Sequence, residues 1–465
     1  MAASSFDAVF LGGGMGGYVG AIRAAQLGLS TAVVEEDKLG GTCLHRGCIP
    51  TKALLQSAFV LDQARQGGRL GVIVSGLELD YAQAARNRDQ VVAQLHRGVE
   101  YLMKKNRIDV VRGRGRLDGP HRVRVGGGQS GDVEVEAGAV VVATGSRPKQ
   151  VPGAEADGRT VLTSDHALTL DHVPASAIVL GAGAVGVEFA SFWRSCGAEV
   201  TVVEMLDRLV PLEDRAIGTE LGKHFQARGI RCLVGATLDL GSIGRGEDGV
   251  SVSVAHAGGE ERLRAEVLLV AIGRTPNTED IGLEGTAVEL ERGFVRAGPD
   301  LRTAQEGVYA IGDVIGGFLL AHKGSHEGII AAEAIAGRDP HPLDPNLVPR
   351  TTYCTPQIAS LGLSEEDARQ AGHEVSVGVF PLTANGRSII WGERGFCKVV
   401  AGADGTVLGV HMIGAEVTEL IYAAALGGLL EATPFEMGRA IAPHPTVSEI
   451  LMEAALAASG EPIHL

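Results

Sequence analysis

Ala8-Val9-Phe10-Leu11-Gly12-Gly13-Gly14-Met15-Gly16-Gly17 joins an apolar run to a Gly-x-Gly-x-x-Gly turn. A helical pattern follows, then Thr31-Ala32-Val33-Val34 and an acid, Glu35, 23 positions after Gly12. The same plan recurs. Ala177-Ile178-Val179-Leu180 leads into Gly181-Ala182-Gly183-Ala184-Val185-Gly186, a helical run, Val200-Thr201-Val202-Val203 and Glu204, again 23 positions after Gly181. A strand, a glycine-rich turn, a helix and a second strand closing on an acid are the fingerprint of a dinucleotide-binding fold. Gly12 and Gly181 permit the tight turn. Gly14 and Gly183 let backbone approach a pyrophosphate, which then sits on N–H groups at the helix N-terminus beside Gly17 or Gly186. Glu35 and Glu204 accept from ribose hydroxyls. A carboxylate at 204 repels a 2′-phosphate, so NAD is expected over NADP; Arg208 is the nearby base that speaks for NADP. Two turns without ligands are the plainer alternative, and the matched context and repetition weigh against it.

The repeat continues downstream. Ala139 to Val142 leads into Ala143-Thr144-Gly145-Ser146-Arg147-Pro148, and Val267 to Val270 into Ala271-Ile272-Gly273-Arg274-Thr275-Pro276. Each reads as a later strand of its own fold, which makes residues 36 to 138 an insertion in the first. A third apolar run, Val308 to Ile311, ends in Gly312-Asp313. The remaining residues lack a fingerprint and combine β-like runs (395–400, 406–412) with helix-like runs (416–430, 446–458). The expected fold is therefore α/β: two Rossmann-like dinucleotide-binding domains and a C-terminal α+β domain. The boundaries are 1–150 for the first, 151–275 for the second, 276–345 for a segment completing the first, and 346–465 for the last.

A chain of 465 residues is too long for one hydrophobic core. Its 45% apolar and 21% charged residues are ordinary for a globular protein. A net charge of −15 argues against a nucleic-acid surface and suits either solubility or a basic protein partner. No apolar run is long enough to span a bilayer, and the opening lacks a basic-then-apolar leader, so a cytoplasmic location is expected. Of six Cys, two close together in a reducing compartment point to catalysis rather than structure.

Those two stand in Gly40-Gly41-Thr42-Cys43-Leu44-His45-Arg46-Gly47-Cys48-Ile49-Pro50-Thr51-Lys52. Separated by four residues, they lie about 1.4 helical turns apart. They can close a small disulfide if the backbone is distorted, which Gly47 eases. So small a ring is a poor structural staple. A helix N-terminus there favours thiolate. Two buried free Cys remain an alternative. A zinc site is less favoured, for want of a second Cys/His pair at suitable spacing. Cys196, Cys232, Cys354 and Cys397 are scattered and read as packing residues. Near the end, Pro443-His444-Pro445-Thr446-Val447-Ser448-Glu449 offers an imidazole that can deprotonate a dithiol and a carboxylate that can fix its tautomer. A surface His in a Pro-rich turn is the plainer reading.

GGTCLHRGCIPTK closely resembles the redox centre of the class I pyridine nucleotide–disulfide oxidoreductases, as does the order of two nucleotide folds with a Cys pair inserted in the first. The resemblance implies FAD in the first fold and NAD in the second. It makes Cys43 the thiol that exchanges with substrate and Cys48 the thiol against the flavin. It sets Lys52 beside the flavin, paired with Glu188 of the second glycine motif. It assigns Asp313 to the ribityl chain, and Ala143, Thr144, Gly145, Ser146, Ala321, His322 and, more weakly, Gly115 to further flavin contacts. Gly273 would approach the nicotinamide nucleotide. The segment around His444 and Glu449 resembles the family's HPT-x-SE motif, which serves the partner subunit's cysteines; a homodimer with a shared active site follows. Many relatives carry a second His where this chain has Ala442.

Residues 200–214, 101–106, 319–328, 355–372 and 408–421 resemble the dihydrolipoyl-oxidising branch of that family. Mercuric reductases and large thioredoxin reductases would carry an extra C-terminal redox pair, whereas this chain ends SGEPIHL. Glutathione reductases favour NADP, and transhydrogenases commonly lack one Cys. The implied reaction oxidises protein-bound dihydrolipoamide with NAD, and the implied partner is the lipoyl-bearing acyltransferase of a 2-oxo acid dehydrogenase complex or a glycine cleavage carrier. A noncatalytic docking subunit of such a complex is the other class of reading; intact Cys43, Cys48, Lys52, His444 and Glu449 argue against it.

Overall fold

The apolar run at 8–11 ends a strand, Ser4–Leu11, sandwiched in a sheet between two apolar layers. The structure is a computed structural model that describes residues 4–127 and 132–465. It divides into one unit of Met1–Ala53, Ala82–Lys149 and Arg274–Leu343, and another of Leu54–Tyr81, Gln150–Gly273 and Asp344–Leu465.

In the first unit, Ser4–Leu11 pairs in parallel with Thr31–Glu35 on one side (Ala8↔Thr31) and with Val133–Val142 on the other (Ala8↔Ala139). Helix Met15–Gln26 makes the crossover. Because successive side chains point to opposite faces, Ala8, Phe10, Val33 and Val141 enter a core with Ala21, Ala24, Ile330 and Ala331 of the helices. Val9, Leu11, Val34, Val140 and Val142 enter another with Val123, Val135 and Ala310. With both faces covered, the strand reads as an unbroken apolar run. Each fully buried Val or Phe contributes about 1.5–3 kcal/mol. Val308–Ala310 adds a parallel strand to the second half of Val133–Val142, whose first half pairs antiparallel with Arg122–Gly126.

One expectation changes. Residues 36–138 are not wholly an insertion, because Asp109–Arg112 joins the parallel sheet beside Thr31–Glu35 (Ala32↔Asp109) and Val133–Val142 enters it before residue 139. The strand at 109 is short and only half-buried, so it carries little apolar pattern.

Helices Met15–Gln26 and Ala321–Ile335 meet through glycines. A Cβ on Gly16 would lie 2.9 Å from the Gly324 carbonyl oxygen, and one on Gly328 2.4 Å from that of Gly16. Gly16 and Gly20 thus face Gly324 and Gly328, backbone against backbone, which holds the start of the second helix to the glycine-turn helix.

The second unit repeats the plan. Ser176–Leu180 and Glu199–Val203 pair in parallel (Ala177↔Val200) across helix Ala184–Ser195, in a sheet that also holds Arg231–Leu233, Val267–Val270 and Val161–Leu162. An antiparallel meander, Thr237–Gly246, Gly249–His256 and Gly259–Ala265, shares its core. A five-stranded antiparallel sheet runs in the order Arg350–Thr352, Gln357–Gly362, Val407–Gly414, Phe396–Gly402, Val375–Pro381. Helices Val417–Leu429 and Glu449–Ala458 cover it. A Cβ on Gly378 would lie 2.1 Å from the Ala454 carbonyl, so the last helix rests directly on the sheet. Among the described residues no helix is long and apolar enough to cross a membrane.

Gly328→Ala forces a methyl group into the Gly16 carbonyl and is expected to cost about 1–3 kcal/mol. Gly98→Ala, in helix Tyr81–Lys105 with nothing within 4 Å of its new Cβ, should stabilise by about 0.5–1 kcal/mol. Thermal unfolding should show a lower midpoint for the first and an equal or higher one for the second; a parental midpoint for Gly328→Ala contradicts the packing.

Candidate active site

The two glycine turns are closed in the same way. A Cβ on Gly12 would lie 2.4 Å from the Ala143 carbonyl, and one on Gly181 2.6 Å from that of Ala271. On Gly17 and Gly186 it would lie 1.9 Å from the Gly12 and Gly181 carbonyls. The middle glycines differ: the nearest atom to such a Cβ on Gly14 is 3.9 Å away, and on Gly183 none lies within 4 Å. Helices Met15–Gln26 and Ala184–Ser195 begin on these open glycines with no side-chain cap. Their leading N–H groups are thus available to an anion, and a dinucleotide pyrophosphate fits both places.

Each closing acid grips its own turn. Glu35 accepts from the Gly13 N–H (2.7 Å) and the Asp37 N–H (2.8 Å); Glu204 accepts from the Ala182 N–H (2.7 Å) and the Leu206 N–H (2.9 Å). Each oxygen keeps a lone pair for a ribose hydroxyl. Burial raises the Glu35 carboxyl above its usual range, against the two N–H groups that lower it. Arg208 donates to Glu366 at 2.9 Å, so its guanidinium is already engaged with a carboxylate.

Ser146 donates to Asp313 at 2.5 Å and accepts from Arg274 Nε at 2.6 Å. Thr144 and Asn277 exchange two hydrogen bonds, Thr144 Oγ1 to the Asn277 carbonyl and Asn277 Nδ2 to the Thr144 carbonyl (2.7 and 2.9 Å). Segments 143–148 and 274–277 thereby form one ribbon, with Gly145 at φ +72°. Gly115 is filled rather than open, its Cβ position lying 2.3 Å from Leu11 Cδ1. Ala321 and His322 open the uncapped helix Ala321–Ile335. Sequence reasoning missed the buried pair one turn further on. Glu327 accepts from the Gly312 N–H (2.7 Å), positioning the residue before Asp313, and Lys323 Nζ forms an ion pair with its other oxygen at 2.6 Å. Burial raises the Glu327 carboxyl. The i, i+4 spacing of Lys323 and Glu327 was the available signal.

The cysteine segment starts on the first glycine turn. The Gly40 N–H donates to the Gly13 carbonyl (2.8 Å), and a Cβ on Gly41 would lie 2.7 Å from Gly14 Cα. Cys43 sits in helix Gly41–Arg46. Gly47 (φ −147°, ψ −111°) breaks that helix, and Cys48 opens the 19-residue helix Cys48–Gln66. The Cys43 side chain hydrogen-bonds to Cys48. That bond, then burial, push the Cys43 thiol far up, while the Lys52 ammonium pulls it down. Cys48 stands at the positive end of its helix, which favours negative charge on that sulfur. Burial, then the neighbouring Cys43, raise the Tyr18 phenol. Cys196 and Cys232 are pushed up to about 12 by burial, and Cys354 and Cys397 are buried; none is a poised thiol.

In the second unit, His444 Nδ1 lies 2.8 Å from Glu449 Oε1, and Glu449 Oε2 accepts from the Thr446 N–H (3.0 Å). Burial raises the Glu449 carboxyl, but these two bonds outweigh it and hold it below the usual range. Asn385, also missed, donates to the Thr446 carbonyl (3.0 Å) and caps helix Gly386–Trp391. The His444 side chain is 78% exposed, so its other ring nitrogen can meet a partner or substrate. Glu188 is buried and accepts from the Tyr353 N–H at 2.9 Å. Gly273 (φ +113°) has nothing within 4 Å of a built Cβ.

The sequence profile described as pyridine nucleotide-disulphide oxidoreductase matches residues 6–328, and the one described as that family's dimerisation domain matches residues 348–455. The chain is 47% identical over 473 residues to the dihydrolipoyl dehydrogenase of Bacillus subtilis, covering 99% of this chain and 100% of that one. It is 38% identical over 466 residues to the mitochondrial dihydrolipoyl dehydrogenase of Pisum sativum, covering 99% and 92%. Among solved structures, LpdA from Mycobacterium tuberculosis superposes with a TM-score of 0.89 at 29% identity, over 97% of this chain and 99% of that one. The Cu(II) complex of the HOCl-induced flavoprotein disulfide reductase RclA from Escherichia coli gives 0.84 at 26%, over 98% and 99%.

The two closed turns separate experimentally. Gly17→Val should abolish the dinucleotide bound in the first fold, and Gly186→Val only that in the second. Absorbance of the purified variants and titration with the soluble nucleotide read each; retention of both ligands by either variant contradicts the assignment.

Proposed function

The chain belongs to the pyridine nucleotide-disulphide oxidoreductase family, and from that membership we infer that it is a dihydrolipoyl dehydrogenase, an FAD-dependent enzyme that passes electrons from a dithiol to NAD. The contact of the cysteine segment with the first glycine turn carries this reading. The alternatives are weaker. A glutathione reductase-like enzyme would favour NADP against Glu204, a mercuric reductase-like one would need a further cysteine pair, and a docking subunit has no use for a poised dithiol.

In this reading residues 1–150 and 276–345 hold FAD on Gly12, Gly14, Gly17 and Glu35, with Ser146 and Asp313 along the chain of the cofactor. Residues 151–275 hold NAD on Gly181, Gly183, Gly186, Glu204 and Gly273. Residues 346–465 pair two copies; exposed Tyr422, Leu429, Leu430 and Ile441 supply apolar surface for that contact. Bound FAD supplies the two-electron acceptor for the Cys48 sulfur and the hydride donor for NAD. His444, its tautomer fixed by Glu449, takes a proton from one substrate thiol of the partner subunit's site. The thiolate attacks Cys43 of the oxidised pair, and Cys48 leaves as a thiolate. The second substrate thiol then displaces Cys43, releasing the cyclic disulfide and leaving Cys43 protonated. Lys52 steadies the thiolate.

The finer assignment is that the dithiol is a lipoyl-lysine arm on an acyltransferase of a 2-oxo acid dehydrogenase complex or on a glycine cleavage carrier, in the cytoplasm. The acidic surface, net charge −15, suits a basic docking segment on that partner. Purified dimer should oxidise NADH rapidly with lipoamide and at least 100-fold more slowly with glutathione disulfide, mercuric ion or oxygen. Cys48→Ser should keep FAD and lose lipoamide turnover. Equal rates with glutathione disulfide, or near-normal turnover of Cys48→Ser, overturn the reading.

A further inference from the structure

One peptide unit, Leu39–Gly40, carries the joint between cysteine segment and glycine turn. Its N–H goes to the Gly13 carbonyl. Its carbonyl receives two imidazoles: His45 Nε2 at 2.9 Å and His96 Nδ1 at 3.0 Å. The rings meet edge to face with centroids 5.1 Å apart. His45 lies between the two cysteines, and His96 on helix Tyr81–Lys105. Since a carbonyl only accepts, both nitrogens are donors, and the two lone pairs of the oxygen are filled.

Charged groups close the surround. Glu100 lies 3.5 Å from His96 Nε2, and Arg112 reaches both Glu100 (3.5 Å) and the Asp37 carbonyl (2.9 Å). Asp37 pairs with Arg46, which also lies between the cysteines. Burial, with His96 and Lys38 alongside, holds the His45 imidazole below its usual range against the pull of the Leu39 carbonyl and Asp37. A neutral His45 therefore serves as donor at pH 7.

We propose that His45 and His96 are positioning residues for the Cys43–Cys48 couple: sharing the Leu39 carbonyl, they pin the peptide plane that ties the cysteine segment to the first nucleotide turn. Donation into the carbonyl polarises that peptide and strengthens the Gly40 N–H bond at its other end. It also restrains residues 44–47 in the dithiol form, so closing the ring loses less freedom. The proposal rests on the reading of Cys43 and Cys48 as the exchange couple.

The test equilibrates holoenzyme anaerobically with reduced and oxidised dithiothreitol. The reagent's dithiol gives two electrons and two protons to the Cys43–Cys48 disulfide and itself closes to a cyclic disulfide. Acid quenching, alkylation and mass spectrometry then count the free thiols. His45→Ala should shift the equilibrium about tenfold towards the dithiol, about 30 mV. His96→Ala, on a different helix, should shift it the same way. The double variant should move no further than either alone, because both act through one carbonyl. His45→Gln and His96→Asn, which keep an amide donor near the same place, should return within about twofold of the parent. An unshifted His45→Ala or His96→Ala with full FAD content, or additive shifts, overturns the proposal. Failure of the parent's two cysteines to interconvert at any ratio would sink the functional reading instead.

Discussion

The Gly40 N–H to Gly13 carbonyl hydrogen bond is the contact on which the chemistry depends. A glycine turn alone binds a nucleotide, and a cysteine pair alone is a reactive dithiol. Joined through one peptide, they bring the cysteine segment against the first nucleotide turn. The joint needs backbone against backbone, since any side chain at Gly41 would strike Gly14. It also needs Gly47 to break the helix, so that Cys43 and Cys48 approach each other while Cys48 opens a long helix of its own.

Electrostatics then divide the labour between like groups. The hydrogen bond to Cys48, then burial, push the Cys43 thiol up, and the N-terminus of helix Cys48–Gln66 favours charge on Cys48. In the proposed relay one sulfur exchanges with a substrate and the other donates electrons. A comparable division separates the acids. Glu35 and Glu204 spend their charge on backbone N–H groups of the nucleotide turns, whereas Glu449 spends its charge on an exposed imidazole. The C-terminal sheet contributes through rigidity: helix Glu449–Ala458 lies on Gly378, and Asn385 holds the Thr446 carbonyl, so the His444–Glu449 pair sits on a packed platform.

Most of this could be read from local pattern. Both βαβ units show in the sequence because the strands are buried on two faces and the turns require glycine. The strand runs at 396–402 and 407–414 and the helices after 416 and 448 fall where apolar periodicity places them. What stayed hidden is long-range. The strand Asp109–Arg112 is short and half-exposed, so only its pairing reveals it. The Gly16/Gly20 and Gly324/Gly328 interface joins helices about 300 positions apart. Glu327, Asn385 and Arg274 act through partners no spacing rule connects, and His45 and His96 converge on a carbonyl, an acceptor every residue carries.

Dihydrolipoyl dehydrogenase activity requires that electrons entering at Cys43 reach the flavin through Cys48. Anaerobic titration of oxidised enzyme with dihydrolipoamide, followed by flavin absorbance, tests that path. One equivalent per subunit should raise a long-wavelength band from a thiolate against oxidised flavin, and added NAD should remove it. A flavin spectrum that responds to NADH yet ignores dihydrolipoamide would contradict the account.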